Sequence, residues 1–216
     1  MTEMTLEDVT RALAAKIPLY AWRRPVYQYV ALDALWRMWS PGSRTLLDVG
    51  GGTGVIAQAL KTFFALDRVV SVDVENRFLP GLDIETQVFD GERLPFADES
   101  FDCATLFNVL HHAPMEARAP LLRECRRVVG EGPVYIKDHL STGAVDAARL
   151  AALDVLGNAP FHGMMRARYL TDADWSALRK EAGFCDEMRL SGAYRDGFFA
   201  ALFPNRLEIS MKWSAA

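Results

Sequence analysis

Cysteine is scarce in this sequence: three residues in 216, Cys103, Cys125 and Cys185, with no C-x-x-C pair. An odd, scattered set argues against a disulfide framework or a zinc knuckle and suits a reducing compartment. There is no run of about 18 apolar residues to span a bilayer, and no internal repeat or low-complexity tract. Excess charge is lacking too. The formal net charge is −4, and the dense basic clusters are only Arg23-Arg24 and Arg126-Arg127. Nucleic-acid binders carry a basic patch or stripe, so no nucleic-acid partner is expected. Glu3, Glu7 and Asp8 precede any long apolar stretch, unlike a signal peptide. The chain reads as cytoplasmic, with no membrane span and no metal. Oligomeric state leaves no signal.

Half of the residues are apolar, and the length suits one α/β domain. Residues 5–17 predict a helix, because Thr5 can cap with Asp8 while Leu6, Val9, Leu13 and Ile17 share a face. A second helix over 26–39 holds Tyr27, Tyr29, Trp36 and Trp39, and Ser40-Pro41-Gly42-Ser43 then punctuates the chain. From there strands over 45–49, 69–74, 85–89, 101–107 and 133–138 alternate with helices over 55–64 and 115–129. That rhythm implies a mainly parallel sheet covered on both faces. Residues 139–170 interrupt it with a helix over 144–156 and a looser stretch containing Gly157, Pro160 and Gly163. Thr171 and Asp174 cap a short helix that Gly183 ends. The tail over 206–213 is expected to supply closing strands, while 198–203 fits strand, helix or loop alike.

The strongest local signal is Leu46-Leu47-Asp48-Val49-Gly50-Gly51-Gly52-Thr53-Gly54. A strand that runs into clustered glycines and then a helix brings bare backbone up to a ligand. Asp73, 19 residues beyond Gly54 at the end of the second strand, is placed to accept both ribose hydroxyls of an adenosine. Gly52-Thr53-Gly54-Val55-Ile56-Ala57 also satisfies the loose G-x-G-x-x-A dinucleotide pattern. Asp48 ahead of the loop decides against it. An acidic strand end repels a pyrophosphate but tolerates a zwitterionic methionine moiety beside a sulfonium.

Further pieces follow in order. Val72-Asp73 comes first, then Asp90-Gly91-Glu92-Arg93-Leu94-Pro95-Phe96 running into Ser100-Phe101-Asp102. Asn108-Val109-Leu110-His111-His112 and Leu122-Arg123-Glu124-Cys125-Arg126-Arg127-Val128 come next. Over residues 42–138 the sequence resembles the class I S-adenosylmethionine-dependent methyltransferases, especially the type 11 group that includes ubiquinone/menaquinone methyltransferases. The usual Pro-Gly-Gly before strand five is here Gly130-Glu131-Gly132-Pro133.

The resemblance implies an α/β, Rossmann-like, seven-stranded mixed sheet with helices on both faces and the last strand inserted antiparallel. It implies S-adenosylmethionine as cofactor and S-adenosylhomocysteine as product. Asp48 and the loop glycines Gly50, Gly51, Gly52 and Gly54 would hold the methionine end. Asp73, followed by Val74, would take the ribose, Asp90 and Gly91 would edge the adenine, and Asn108 would line the cofactor. One domain over 1–216 is expected: an N-terminal helical lid (1–41), a cofactor-binding core (42–138), an acceptor cap (139–170) and a C-terminal helix with closing strands (171–216).

Methyl transfer from a sulfonium is an in-line displacement, so the protein mainly aligns the reactants and excludes water. A base is needed only where the acceptor must lose a proton. No Asn/Asp-Pro-Pro-Tyr follows strand four, and no Pro-Cys pair is placed to attack a pyrimidine. A small-molecule acceptor, methylated on O, N or C, is therefore expected. His139, after strand five, is the candidate general base. His111, His112, His162, Met164 and Tyr169 are candidate acceptor contacts. Two readings compete: a cyclase or other non-methylating enzyme that retains the cofactor, and a non-catalytic adenosyl-binding subunit.

Overall fold

A computed structural model describes residues 4–158 and 167–216. Thr45–Val49 (β1), Arg68–Asp73 (β2), Glu85–Val88 (β3), Cys103–Phe107 (β4) and Val134–His139 (β5) run parallel. Phe184–Ser191 (β6) and Glu208–Ala215 (β7) complete a seven-stranded sheet in the order β3-β2-β1-β4-β5-β7-β6, with β7 antiparallel to both neighbours. The mixed, Rossmann-like sheet is the one the resemblance implied.

The helices are Leu6–Ala14 (α1), Leu19–Trp22 (α2), Val26–Met38 (α3), Val55–Phe63 (α4), Met115–Val129 (α5), Ala144–Asn158 (α6), Asp172–Glu181 (α7) and Gly197–Leu202 (α8). Successive strand residues point to opposite faces, and both faces are apolar. Leu47, Val49, Val72, Leu106 and Ile136 cluster with Leu122, Cys125 and Val128 of α5 and Trp175 of α7. Leu46, Val69, Cys103 and Tyr135 cluster instead with Val9 and Leu13 of α1, Leu32 and Leu35 of α3, and Leu60 of α4. Burial on both faces is why these strands read as nearly continuous apolar runs.

Capping follows the sequence. Asp8 N donates to Thr5 Oγ1 at 3.2 Å while Thr5 N donates to Asp8 at 3.1 Å. The same reciprocal box joins Thr171 and Asp174, each cap contributing about 1 kcal/mol.

Several boundaries differ from expectation. β2 ends at Asp73, which leaves Val74 outside the strand and 47% exposed. β5 runs through His139, one residue further than predicted. The undecided 198–203 stretch is the helix α8 up to Leu202, with Phe203 as its C-cap, and β7 starts at Glu208 after a 3-10 turn over Asn205–Leu207. β6 lies at the sheet edge with only Phe184 buried, so it has no apolar alternation to read.

β1 lies between β2 and β4, where the strand order reverses. In an open α/β sheet a crevice opens there, beyond the carboxyl ends of the strands. Among the described residues no helix is long and apolar enough to cross a membrane.

Candidate active site

A cavity of about 520 Å³ occupies that crevice, within the span of about 300–1,000 Å³ common for small-molecule sites. Its lining includes Asp48 near the end of β1 with Gly50, Gly51 and Gly52 beyond it, Asp73 at the end of β2 with Val74 beyond it, and Asp90 and Gly91 after β3. Asn108 and His112 after β4, Tyr27 of α3 and Asp154 of α6 also line it.

The glycine loop is built around buried polar groups. Gly50 and Gly51 both donate their N–H to Val72 O, at 2.8 and 3.1 Å. A Cβ on Gly51 would stand 1.8 Å from Ser71 Oγ and 2.6 Å from Asp48 Oδ2, so a side chain cannot fit. Gly52 has φ +56° and, among the described residues, nothing within 4 Å of a Cβ position. Its bare backbone leaves room for a ligand. Gly54 departs from expectation: it lies outside the lining and is the N-cap of α4.

Asp48 is 2% exposed and accepts from Ser71 Oγ at 2.7 Å and Thr105 Oγ1 at 2.8 Å. Burial outweighs those two hydroxyls and pushes its carboxyl up to about 6. A cationic ligand group beside it would favour the ionised form. Asp73 accepts from Gly52 N at 2.7 Å and Glu75 N at 3.1 Å, and the Arg77 guanidinium reaches both its oxygens at 3.3 Å. Arg77 lines the cavity as well. Sequence reading passed over it, although a cation four residues past a strand-end aspartate can fold back onto that carboxylate. The Asp90 carboxylate accepts from Glu92 N at 2.8 Å and Arg93 N at 3.0 Å, which fixes its loop and lowers its pKa.

Asn108 sits at φ +55°, a region that Asn tolerates better than most residues. Its N–H donates to Lys137 O at 2.8 Å, and its Oδ1 accepts from Tyr27 O–H at 2.9 Å. Lys137 Nζ also contacts the Tyr27 hydroxyl, so an ordered polar chain stands in the wall.

The acceptor candidates divide. His112 lines the cavity, whereas His111, His139 and Tyr169 do not. His162 and Met164 fall outside the described residues.

His139 requires the clearest correction. As the candidate general base it would need access to the cavity, but it is buried with Nδ1 3.2 Å from Glu208 and Nε2 3.6 Å from Asp154. Burial opposes its charge, yet Glu208 and Asp154 together raise its pKa above the usual value. A raised pKa enlarges the protonated fraction, which has no lone pair to accept a proton. His111 is bound by Asp138 at 2.6 Å through Nδ1. Against burial, the charge and hydrogen bond of Asp138 and the Asp154 carboxylate nearby push it up to about 9. Tyr169 donates to Asp154 at 2.5 Å. Asp154 was not singled out from sequence, though an acidic residue within the apolar stretch Leu153-Asp154-Val155-Leu156 is a visible signal.

Residues 47–136 match the methyltransferase domain family of type 11. Over that stretch the chain is similar to the class I S-adenosylmethionine-dependent methyltransferases. A ubiquinone/menaquinone biosynthesis C-methyltransferase from Desulfotalea psychrophila is 29% identical over 46% of this chain, and the match spans 45% of that relative. Among solved structures, the methyltransferase-fold protein in complex with the Haloferax volcanii activator Trm112 is similar over 95% of this chain and 97% of its own. Its TM-score is 0.69 at 17% identity. A Methanosarcina mazei SAM-dependent methyltransferase is similar over 84% of this chain and 96% of its own, with TM-score 0.62 at 16% identity. At those identities the two structures speak for the fold of this methyltransferase domain.

Asp73→Ala would remove an acceptor from the cavity and from the Gly52 and Glu75 amides. S-adenosylhomocysteine affinity should drop about ten- to a hundredfold, the cost of losing charge-assisted bonds of roughly 1.5–3 kcal/mol. Calorimetric titration reads this directly. Unchanged affinity in a folded variant removes Asp73 from the cofactor site.

Proposed function

We propose that this protein transfers the methyl group of S-adenosylmethionine to an O, N or C atom of a small molecule. The observation that carries this reading is one cavity whose lining joins the glycine loop and Asp73 to Tyr27, Asn108, His112 and Asp154. In this reading Asp48 with Gly50, Gly51 and Gly52 holds the methionine end, and Asp73 accepts the ribose hydroxyls. Val74 follows Asp73 in the lining, and Asp90 and Gly91 edge the adenine. When bound, the cofactor supplies an electrophilic methyl carbon. Everything else falls to the chain, which must hold the acceptor in line and keep water out.

Two segments supply the acceptor's side. Ile17, Tyr20 and Tyr27 reach the cavity from the proposed lid (1–41), and Asp154 reaches it from the proposed cap (139–170). His139 is replaced as the acceptor-facing polar group by Tyr27, whose hydroxyl is anchored on Asn108 and Lys137. A cytoplasmic setting belongs to the same reading, supported by free Cys103, Cys125 and Cys185.

The test is incubation with methyl-labelled cofactor and a cell extract. Label should appear in the low-molecular-weight fraction, with matching S-adenosylhomocysteine. Label in protein or RNA would overturn the small-molecule part, and bound cofactor that is never consumed would overturn methyl transfer itself. Tyr27→Phe should raise the acceptor KM by about three- to tenfold, the worth of one ordinary hydrogen bond, while S-adenosylhomocysteine affinity holds. Equal damage to both would make Tyr27 structural.

A further inference from the structure

We propose that His111, His112 and Asp154 bind a divalent transition-metal ion in the cavity wall, and that its open side takes an acceptor with an ionisable oxygen, such as a phenol or an enol. The sequence led us to expect no metal, and the arrangement of these three side chains argues otherwise. Each offers one ligand atom, and the atoms lie within 4.8 Å of one another. His111 Nε2 and Asp154 Oδ2 are 3.4 Å apart. That is close to the separation of two ligands on a tetrahedral ion with bonds of about 2.0–2.2 Å.

A second observation points the same way. His111 is 1% exposed, and among the described residues its Nε2 makes no well-formed hydrogen bond, only the 3.4 Å approach to Asp154 Oδ2. The opposite nitrogen, Nδ1, is held by Asp138 at 2.6 Å. A carboxylate that fixes one ring nitrogen while the other is left for an ion is the supporting shell of a metal-bound histidine. Asp154 is oriented in turn by the Tyr169 hydroxyl at 2.5 Å.

The site is also open on the correct side. His112 and Asp154 line the cavity and buried His111 does not, so among the described residues an ion held here would face the cavity on one side, as catalytic metal sites do. Such an ion lowers the pKa of an oxygen bound to it, and the proton released would leave through the cavity to water. This supplies what buried, cation-favouring His139 does not. Imidazole and carboxylate ligands suit zinc, cobalt, nickel or iron(II) rather than magnesium. Only the acceptor half of the proposal rests on the methyl-transfer reading, because ion binding is independent of it.

The competing arrangement is a protonated His111 bridging Asp138 and Asp154 with no ion. Titration of the chelator-treated full chain with Co²⁺ separates the two, followed by visible absorption and calorimetry, with S-adenosylhomocysteine binding measured in parallel. We expect saturable binding with the visible bands of a low-coordinate site and a dissociation constant of about micromolar or tighter. His112→Ala and Asp154→Asn should each weaken Co²⁺ at least about tenfold, and Asp138→Asn about 10–100-fold. S-adenosylhomocysteine affinity should stay near that of the unmodified chain. His112 is partly exposed, so its variant should fold even where a change at His111 does not. Absent bands in protein that still binds S-adenosylhomocysteine, or Co²⁺ binding indifferent to both variants, overturns the metal site. Loss of S-adenosylhomocysteine binding alone strikes the methyltransferase reading and leaves the ion result standing.

Discussion

Glu208→Gln should lower stability by about 3–5 kcal/mol, the usual cost of breaking a buried charge pair from one side. Glu208 meets Lys137 Nζ, Arg195 Nη2 and, at 3.2 Å, His139 Nδ1. No side chain in this group is more than 6% exposed. The strand register dictates the meeting: His139 of β5 lies opposite Glu208 of β7, and Lys137 is two residues earlier on the same strand. Lys137, Arg195 and His139 surround the carboxylate, and the charges of Lys137 and His139 hold it well below its ordinary pKa, although burial alone would raise it. Glutamine keeps the shape and removes the charge, leaving Lys137 and Arg195 facing each other in the interior. Urea unfolding near neutral pH measures the loss. A change below about 1 kcal/mol would show that water reaches the group and screens it.

The same cluster shows how far the sequence could be read. The glycine loop was legible because a backbone held against a ligand restricts residue type locally, and Gly51 has no room for a Cβ between Ser71 and Asp48. Asp73 was legible for a related reason: it ends a recognisable strand, and a strand end fixes position along the crevice, whereas Asn108 was legible only through the family resemblance. His139 was placed correctly beside strand five, yet its role was misread. Its partners Glu208 and Asp154 lie far along the chain on β7 and α6, and a spacing rule does not reach them. Antiparallel β7 puts the Glu208 carboxylate opposite His139, which makes the histidine part of a buried ion network. β6 escaped for the opposite reason, because an exposed edge strand makes few demands on its residues.

Metal-free protein is expected to lose stability as pH rises from 6.5 to about 9, and His111 is the main cause. Its ordinary pKa of 6.5 is pushed up to about 9 in the folded state. Burial works against the proton, but the charge and hydrogen bond of Asp138, joined by Asp154, outweigh it. The folded state therefore holds a proton that the unfolded chain releases above 6.5. The stabilisation is complete below 6.5 and vanishes as pH passes through the folded value. Each tenfold gain in proton affinity corresponds to about 1.4 kcal/mol, so the full effect is on the order of 3 kcal/mol. His139 is raised in the same direction, with Glu208 and Asp154 favouring its charge and Lys137 opposing it, so it adds to the slope. Urea midpoints across this range, with chelator present, should fall more steeply for the unmodified chain than for His111→Gln, which keeps a donor for Asp138 but cannot titrate. Parallel curves would mean that the proton is not on His111. Adding Co²⁺ should reverse the trend if the ion site exists, because a metal needs the neutral ring and competes with the proton.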